Sequence, residues 1–82
     1  MRGIHLSPFS IAKMRRIKKW HDDNDMDEIR FETDRSTFTE VEIIKIKKES
    51  DGKPYVSFWG LDYRGYREWL IEIERIERIV IE

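Results

Sequence analysis

The stretch that decides the fold is FTEVEIIKIKK, residues 38–48. Its content of Val and Ile is typical of a β-strand. The apolar positions nevertheless change parity, from Val41 and Ile43 to Ile44 and Ile46. Because successive side chains of a strand point to opposite faces, one face stays buried only if the alternation is strict. We therefore predict a bulge or a sharp bend near residue 44, of the kind that small barrels need to close.

Turn signals divide the region around this stretch into further short strands. Residues 29–33 alternate apolar and polar side chains and end at the turn DRST, residues 34–37. Residues 50–54 contain an Asp-Gly hairpin signal, and residues 62–65, DYRG, form a second turn. Further strands are then predicted at residues 55–61, 66–73 and 79–81. The pattern predicts an α+β protein, mainly β, with five strands in a strongly bent antiparallel sheet or a small barrel.

One helix is predicted before the sheet. Apolar side chains recur every three residues at Ile11, Met14, Ile17 and Trp20, as they do along one face of a helix. Ser7-Pro8 or Ser10 can begin this helix, and the Asp and Asn residues after residue 21 end it. We predict a helix over residues 10–21 behind an N-terminal arm. The chain then divides into an arm and basic helix, residues 1–24, and a small β-barrel domain, residues 25–82, which form one folded unit.

The composition excludes several classes of protein. A chain of 82 residues allows one domain. It has no cysteine, which excludes disulfides, thiolate catalysis and Cys-based metal sites and fits a cytoplasmic location. No apolar run approaches the roughly 20 residues of a membrane helix. An Asp-x-Asp-x-Asp pattern at residues 23–27 lacks the glycine of a calcium loop. We expect no enzymatic activity, no cofactor, no bound metal and no membrane partner.

The net charge of −1 hides an uneven distribution. Residues 1–21 contain six Lys and Arg and no acid, whereas residues 22–28 contain five acids and no base. Residues 29–82 are slightly acidic, with ten bases and twelve acids. A dedicated nucleic-acid-binding domain is usually clearly basic, so this balance favours a protein partner.

Two groups of residues are candidates for an interaction surface. The basic face of the helix can contact phosphates, although the same pattern is typical of a solvated face opposite a core stripe. The aromatic strands can stack on bases, although a core this small needs most of their rings. We expect Tyr63 and Tyr66, which flank a turn, to remain partly exposed. The candidate residues are Arg15, Arg16, Lys18, Lys19, Tyr63, Arg64, Tyr66 and Arg67.

Three segments of the chain resemble YolD-like proteins. RGIHLSPF, residues 2–9, is similar to the RG-x-x-x-x-PF opening of that family. VEIIKIKKE, residues 41–49, is similar to its G-x-I-x-K-I segment without the glycine, and WLIEIERIERI, residues 69–79, is similar to its closing I-x-L-x-x-I-x-x-I pattern. The chain departs from the family at Leu6-Ser7, where a Trp is typical, and in a shorter region between arm and sheet.

The resemblance implies an Sm-like, SH3-type barrel behind an N-terminal helix. The family occurs in Gram-positive bacteria and their mobile elements, including phages. Its members are often encoded beside UmuC-like Y-family DNA polymerases, and the resemblance implies a UmuD-like accessory part in the response to DNA damage. A weaker similarity is to the WYL domain, which is also Sm-like.

We therefore predict a non-enzymatic accessory or protein-interaction module. Its partner is a protein, which the resemblance would make a Y-family polymerase, and an exposed strand edge can also pair with a second copy of the chain. Two alternatives stay open. One is a nucleic-acid-binding module that uses the basic helix and the aromatic sheet, and the other is a small ligand-binding regulatory domain of the WYL type.

Overall fold

The computed structural model describes all 82 residues as one helix and one antiparallel sheet. The sheet order is β1-β6-β2-β3-β4-β5, so the α+β, mainly β class is confirmed. A single 3₁₀ turn, Ile73–Arg75, joins the last two strands. The elements are β1 (Gly3–Leu6), α1 (Ile11–Asp23), β2 (Ile29–Thr33), β3 (Thr37–Lys48), β4 (Pro54–Asp62), β5 (Gly65–Glu72) and β6 (Ile76–Ile81).

Strand β3 is bent, as its sequence predicts. The register of its pairing with β4 shifts between residues 43 and 45, which confirms the irregularity expected near residue 44. A second shift, between residues 39 and 42, was not predicted, and there Glu40 has a φ of 52°. The two shifts turn all the large apolar side chains but one toward the core. Those buried are Phe38, Val41, Ile43 and Ile46.

The N-terminal arm contains a sixth strand, which the sequence prediction missed. β1 pairs antiparallel with β6, from Gly3 opposite Ile81 to Leu6 opposite Arg78. Its partner lies at the other end of the chain, and four residues are too few to show a period of two. A strand of this kind can therefore be recognised only in the folded chain, where the two ends of the chain pair.

The sheet does not close into a barrel, so the barrel alternative is wrong in this respect. β1 occupies the second edge of β6, and closure would therefore require β1 and β5 to meet. These two strands do not pair, and both remain edges of the sheet. The observed architecture is the strongly bent open sheet.

The helix and the sheet share one hydrophobic core. The Ser10 hydroxyl accepts a hydrogen bond from the Lys13 backbone N–H at 3.0 Å, which caps the start of α1. Met14 and Ile17 are fully buried, while Ile11 and Trp20 pack at the margin of the core. The chain has no helix with the length and apolar character needed to cross a membrane. The apolar stripe of the helix thus joins the core that the sheet forms.

Candidate interaction site around strand β5

Strand β5 places alternate side chains on two faces of the sheet. Trp69 and Ile71 lie opposite the buried Phe58 and Val56 of β4 and therefore face inward. Tyr66, Glu68 and Leu70 point to the outer face. Every backbone hydrogen bond of β5 within the sheet is made to β4, and its other edge is unpaired. Two different surfaces consequently meet at this strand.

The first surface is a cluster of exposed apolar side chains on the outer face, which we call the outer patch. Trp59 and Tyr66 stack with their ring centroids 5.8 Å apart and their planes 15° from parallel. Trp59 is 38% exposed, and Tyr66 and Leu70 are each 51% exposed. Leu61 lies directly opposite Tyr66, and Ile44, at the bend of β3, lines an open groove with Leu70. The outer patch consists of Ile44, Trp59, Leu61, Tyr66 and Leu70.

Trp69 organises the inner side of β5. Its indole N–H donates a hydrogen bond to the Gly60 carbonyl at 2.9 Å, and its ring lies 5.2 Å from that of Phe38. Gly60 itself leaves space for the neighbouring Phe58 ring, because a Cβ at residue 60 would lie 3.0 Å from it. Trp69 is therefore fixed over the end of the core rather than free in solvent.

Two arginines lie over the Trp69 ring. The guanidinium carbons of Arg64 and Arg67 lie 4.4 Å and 5.2 Å from its centroid. Asp62 accepts hydrogen bonds from Arg64 at 2.6 and 2.9 Å, and its side chain is only 1% exposed. Burial opposes ionisation of Asp62, but the hydrogen bonds from Arg64 outweigh it, so the pKa of Asp62 lies below its ordinary value. The Arg64 guanidinium is thus held in place by a carboxylate.

The second surface is a cleft between β5 and the turn that follows β2. It has a volume of about 210 Å³. Phe38, Trp69, Ile71 and part of Leu70 supply its apolar side. We call it the arginine cleft because three arginines line it: Arg35, Arg64 and Arg75. Arg75 forms an ion pair with Asp34 at 3.5 Å.

The unpaired positive charge of the arginine cleft is that of Arg35. Its side chain makes no hydrogen bond and no ion pair within the chain. Asp34 is the one carboxylate among the lining residues, so the cleft is positively charged overall. This charge favours a ligand that carries carboxylate or other anionic groups.

The structure divides the candidate residues of the second turn between these surfaces. Tyr63 is 83% exposed and Tyr66 is half exposed, which confirms the exposure predicted for both. Tyr66 belongs to the outer patch, whereas Arg64 and Arg67 lie on the inner side over Trp69. Tyr63 stands at the tip of the turn, 5.0 Å from the Arg64 guanidinium. The four residues therefore do not form one surface.

The basic helix lies apart from both surfaces. Arg15, Arg16 and Lys19 are exposed, and Lys18 forms an ion pair with Asp22 at 2.7 Å. Helix α1 packs mainly against β3, and none of these four residues lines a cleft. The structure leaves this face solvated and brings it to no other candidate residue.

Five residues of the two surfaces were not candidates from the sequence: Ile44, Leu61, Leu70, Arg35 and Arg75. Leu61 could have been found, because it has the opposite parity to the buried Val56 and Phe58 of β4. Leu70 has the opposite parity to Trp69 and Ile71, which face inward from β5. Arg35 and Arg75 carry no such signal. They belong to two turns forty residues apart, and only the folded chain brings them to one cleft.

Neither a metal site nor a similarity to known proteins gives further information about the candidate site. No three His, Asp or Glu side chains converge anywhere in the chain. Comparisons with protein-family models, with curated proteins and with solved structures found no match for this chain. The resemblance to YolD-like proteins therefore stays a prediction that rests on the three quoted segments.

Proposed function

We propose that the protein is a non-enzymatic protein-interaction module that docks on its partner through the outer patch. The observation that carries this proposal is the stacked and exposed pair of Trp59 and Tyr66, which has Leu61 beside it and Leu70 and Ile44 on the same face of the sheet. Small soluble proteins rarely expose such a surface without a use for it. Trp and Tyr are also the residues that contribute most often to the energetic centre of protein interfaces.

The surroundings of the outer patch support a protein partner. Glu42, Lys45 and Lys47 of β3 lie on the same face, beside the apolar side chains, and Glu68 of β5 lies among them, directly opposite Trp59. An apolar centre with a polar rim of mixed charge is the usual anatomy of a protein interface. A groove of about 440 Å³ between Ile44 and Leu70 can accept an anchoring side chain of the partner.

A nucleic-acid partner is supported by the aromatic pair, which offers a stacking surface, and by the lysines of β3. Against it, Glu42 and Glu68 flank the Trp59 ring and would repel a phosphate backbone. The basic residues of α1 lie apart from the outer patch and therefore add no positive charge to it. A protein partner therefore fits the charges better.

The resemblance to YolD-like proteins indicates which partner to test first. If the chain is an accessory protein of that type, its partner is a UmuC-like Y-family DNA polymerase. The outer patch, rather than the basic helix, would then contact the polymerase.

Site-specific crosslinking tests the proposal. A photoreactive benzoylphenylalanine is placed at Leu61, which belongs to the outer patch and not to the arginine cleft, or, as a control, at Lys19 on the helix, in the cell that carries the natural gene. We expect a discrete protein adduct from position 61 that is lost with Trp59→Ala, and none from position 19. Adducts of equal yield from both positions, or none from position 61, would contradict the proposal.

Single-stranded DNA provides the second measurement. We expect only weak binding of a fluorescent oligonucleotide at physiological salt, because the net charge is −1. Submicromolar affinity with a steep dependence on salt would establish the nucleic-acid alternative instead.

A further inference from the structure

We propose that the arginine cleft and the free edge of β5 together bind an extended acidic segment of a partner protein. The segment would add to the sheet as a strand beside β5, place an apolar side chain against Trp69, and pair its carboxylates with the arginines. The inference goes beyond the proposed function, because it concerns a second surface, which meets the outer patch only at Leu70.

The edge of β5 is suited to the addition of a strand. β5 has eight residues, and its pairing with β4 runs without a register shift from Gly65 to Glu72. It contains no proline and no bulge, the usual devices that prevent pairing at an exposed edge. By contrast, the other edge of the sheet, β1, has four residues, and Gly3 within it has a φ of 125°. The regular, unpaired backbone of β5 is therefore a template for an incoming strand.

The cleft beside this edge supplies pockets for side chains. Phe38, Trp69 and Ile71 form an apolar side at the position that alternate side chains of an added strand would reach. Specificity in strand addition comes from such pockets, while the main-chain hydrogen bonds supply affinity. The ligand therefore carries an apolar anchor among its residues.

The charge of the cleft selects the other residues of the ligand. Three arginines line the cleft, and because Asp34 pairs with Arg75 and Asp62 with Arg64, one positive charge is left unpaired. Arg35 has no partner within the chain, and Arg64 is already oriented over Trp69 by Asp62. Guanidinium groups form bidentate, charge-assisted hydrogen bonds with carboxylates. Glu and Asp side chains of the segment therefore complement the cleft.

A nucleic acid fits this surface less well than a polypeptide. The guanidinium groups of Arg64 and Arg67 already lie over the Trp69 ring, at 4.4 and 5.2 Å, so a base would have to displace them in order to stack on it. A nucleic acid also cannot form a ladder with the backbone of β5.

Selection from a display library of random nine-residue peptides tests the proposal on the full chain. We expect the enriched peptides to carry acidic side chains and at least one large apolar residue. The best synthetic peptide, measured by fluorescence anisotropy, should bind Arg35→Glu about tenfold more weakly than the unchanged protein. Arg15→Glu is the matched control, since it makes the same charge change at an exposed arginine outside the cleft, and it should leave the affinity unchanged.

Methylation of the peptide backbone tests strand addition. N-methyl groups at alternate residues of the peptide remove the hydrogen bonds of one parity only. We expect one series of methylated peptides to lose affinity by tenfold or more and the other to keep it. Equal effects in both series would show that the peptide does not pair with β5.

Other outcomes would also overturn the proposal. These are the enrichment of basic or neutral peptides, the absence of any enriched peptide, equal affinity for Arg35→Glu and the unchanged protein, and displacement of the peptide by single-stranded DNA. A dimer in sedimentation experiments that is disrupted by a proline at Leu70 would mean that a second copy occupies the edge. Trp59→Ala should leave peptide affinity intact, so a failure of the outer patch is distinguishable from a failure of the cleft.

Discussion

Replacement of Trp69 by alanine should remove a large part of the stability of the fold. A domain of this length is stable by about 4–12 kcal/mol, at about 0.05–0.15 kcal/mol per residue. Truncation of a buried Trp costs about 3–5 kcal/mol. Because Trp69 is partly exposed, we take the lower end, about 3 kcal/mol. Within this figure, the hydrogen bond to Gly60 contributes about 1 kcal/mol and the contact with Arg64 about 0.5–1 kcal/mol.

Trp69→Phe separates these contributions. The smaller ring keeps the contact with Phe38 but has no N–H for the Gly60 carbonyl, so we expect a loss of about 1–2 kcal/mol. Trp59→Ala is the matched control on the outer face, where we expect a loss of only about 1 kcal/mol from the stacked pair with Tyr66.

Urea unfolding followed by circular dichroism measures all three variants, since it does not depend on tryptophan fluorescence. The expected order of stability loss is Trp69→Ala, then Trp69→Phe, then Trp59→Ala. If Trp69→Ala cost no more than Trp59→Ala, Trp69 would be a surface residue and the apolar side of the arginine cleft would be misassigned.

Three further changes test the fold. Gly60→Ala should cost about 1–2 kcal/mol, because its Cβ would lie 3.0 Å from the fully buried Phe58 ring, and the gain from fewer unfolded conformations is smaller. Glu40→Gly should stabilise the protein by about 0.5–1 kcal/mol, because glycine adopts a φ of 52° without strain. Stability should fall in acid as Glu32 is protonated, since the hydrogen bond from Arg78 holds the pKa of Glu32 below its ordinary value of 4.5. The folded state therefore favours the carboxylate, and this contribution is present above pH 4.5 and is lost as the pH falls through the lowered pKa.

Each of these changes has its own control. Gly60→Ala combined with Phe58→Leu should recover part of the loss, and a purely additive result would show that the ring is not the obstacle. Glu40→Ala keeps the Cβ, so a gain equal to that of glycine would point to the charge instead of the backbone. Glu32→Gln should flatten the acid limb of the stability curve, and an unchanged limb would assign it to other carboxylates.

The central bend of the sheet could be predicted from the sequence because a change of parity is a local signal. The buried positions Val41, Ile43 and Ile46 of β3 follow from the sequence once a bulge is inserted near residue 44, whereas the burial of Phe38 also needs the second shift, at Glu40. The Asp-Gly turn is equally local. Gly52 adopts a φ of 83°, and Asp51 accepts a hydrogen bond from the Lys53 backbone N–H at 2.8 Å. The structural features that depend on residues close in sequence, such as this bend and this turn, could therefore be predicted.

The edges of the sheet could not be predicted, since they depend on contacts between distant parts of the chain. β1 needs β6 to form, and its four residues show no period of their own. Because β1 occupies the second edge of β6, β5 cannot pair there. Barrel closure cannot be predicted from the number and bending of the strands alone, because it also depends on which strand occupies the edge of β6.

The same distinction applies to the candidate site. The prediction from the sequence placed Tyr63, Arg64, Tyr66 and Arg67 in one group, because they lie close together along the chain. A strand alternates its side chains, however, so Tyr66 joins Trp59 on one face while Arg67 approaches Trp69 on the other. Folding thus places neighbouring residues on opposite faces of the sheet. It also brings Arg35 and Arg75, which are distant in sequence, to one cleft.

The near-zero net charge has a structural meaning once the charges are placed. The Lys18–Asp22 and Arg2–Asp27 pairs show that the basic N-terminal segment and the acidic segment after it partly neutralise each other. The arginine cleft is neutralised only in part, because Asp62 pairs with Arg64 and Asp34 with Arg75, whereas Arg35 has no partner. A local excess of positive charge beside an unpaired strand selects an acidic polypeptide, whereas the balanced rest of the surface would gain little from a polyanionic nucleic acid. The distribution of charge, rather than its sum, therefore connects this fold to its proposed partner.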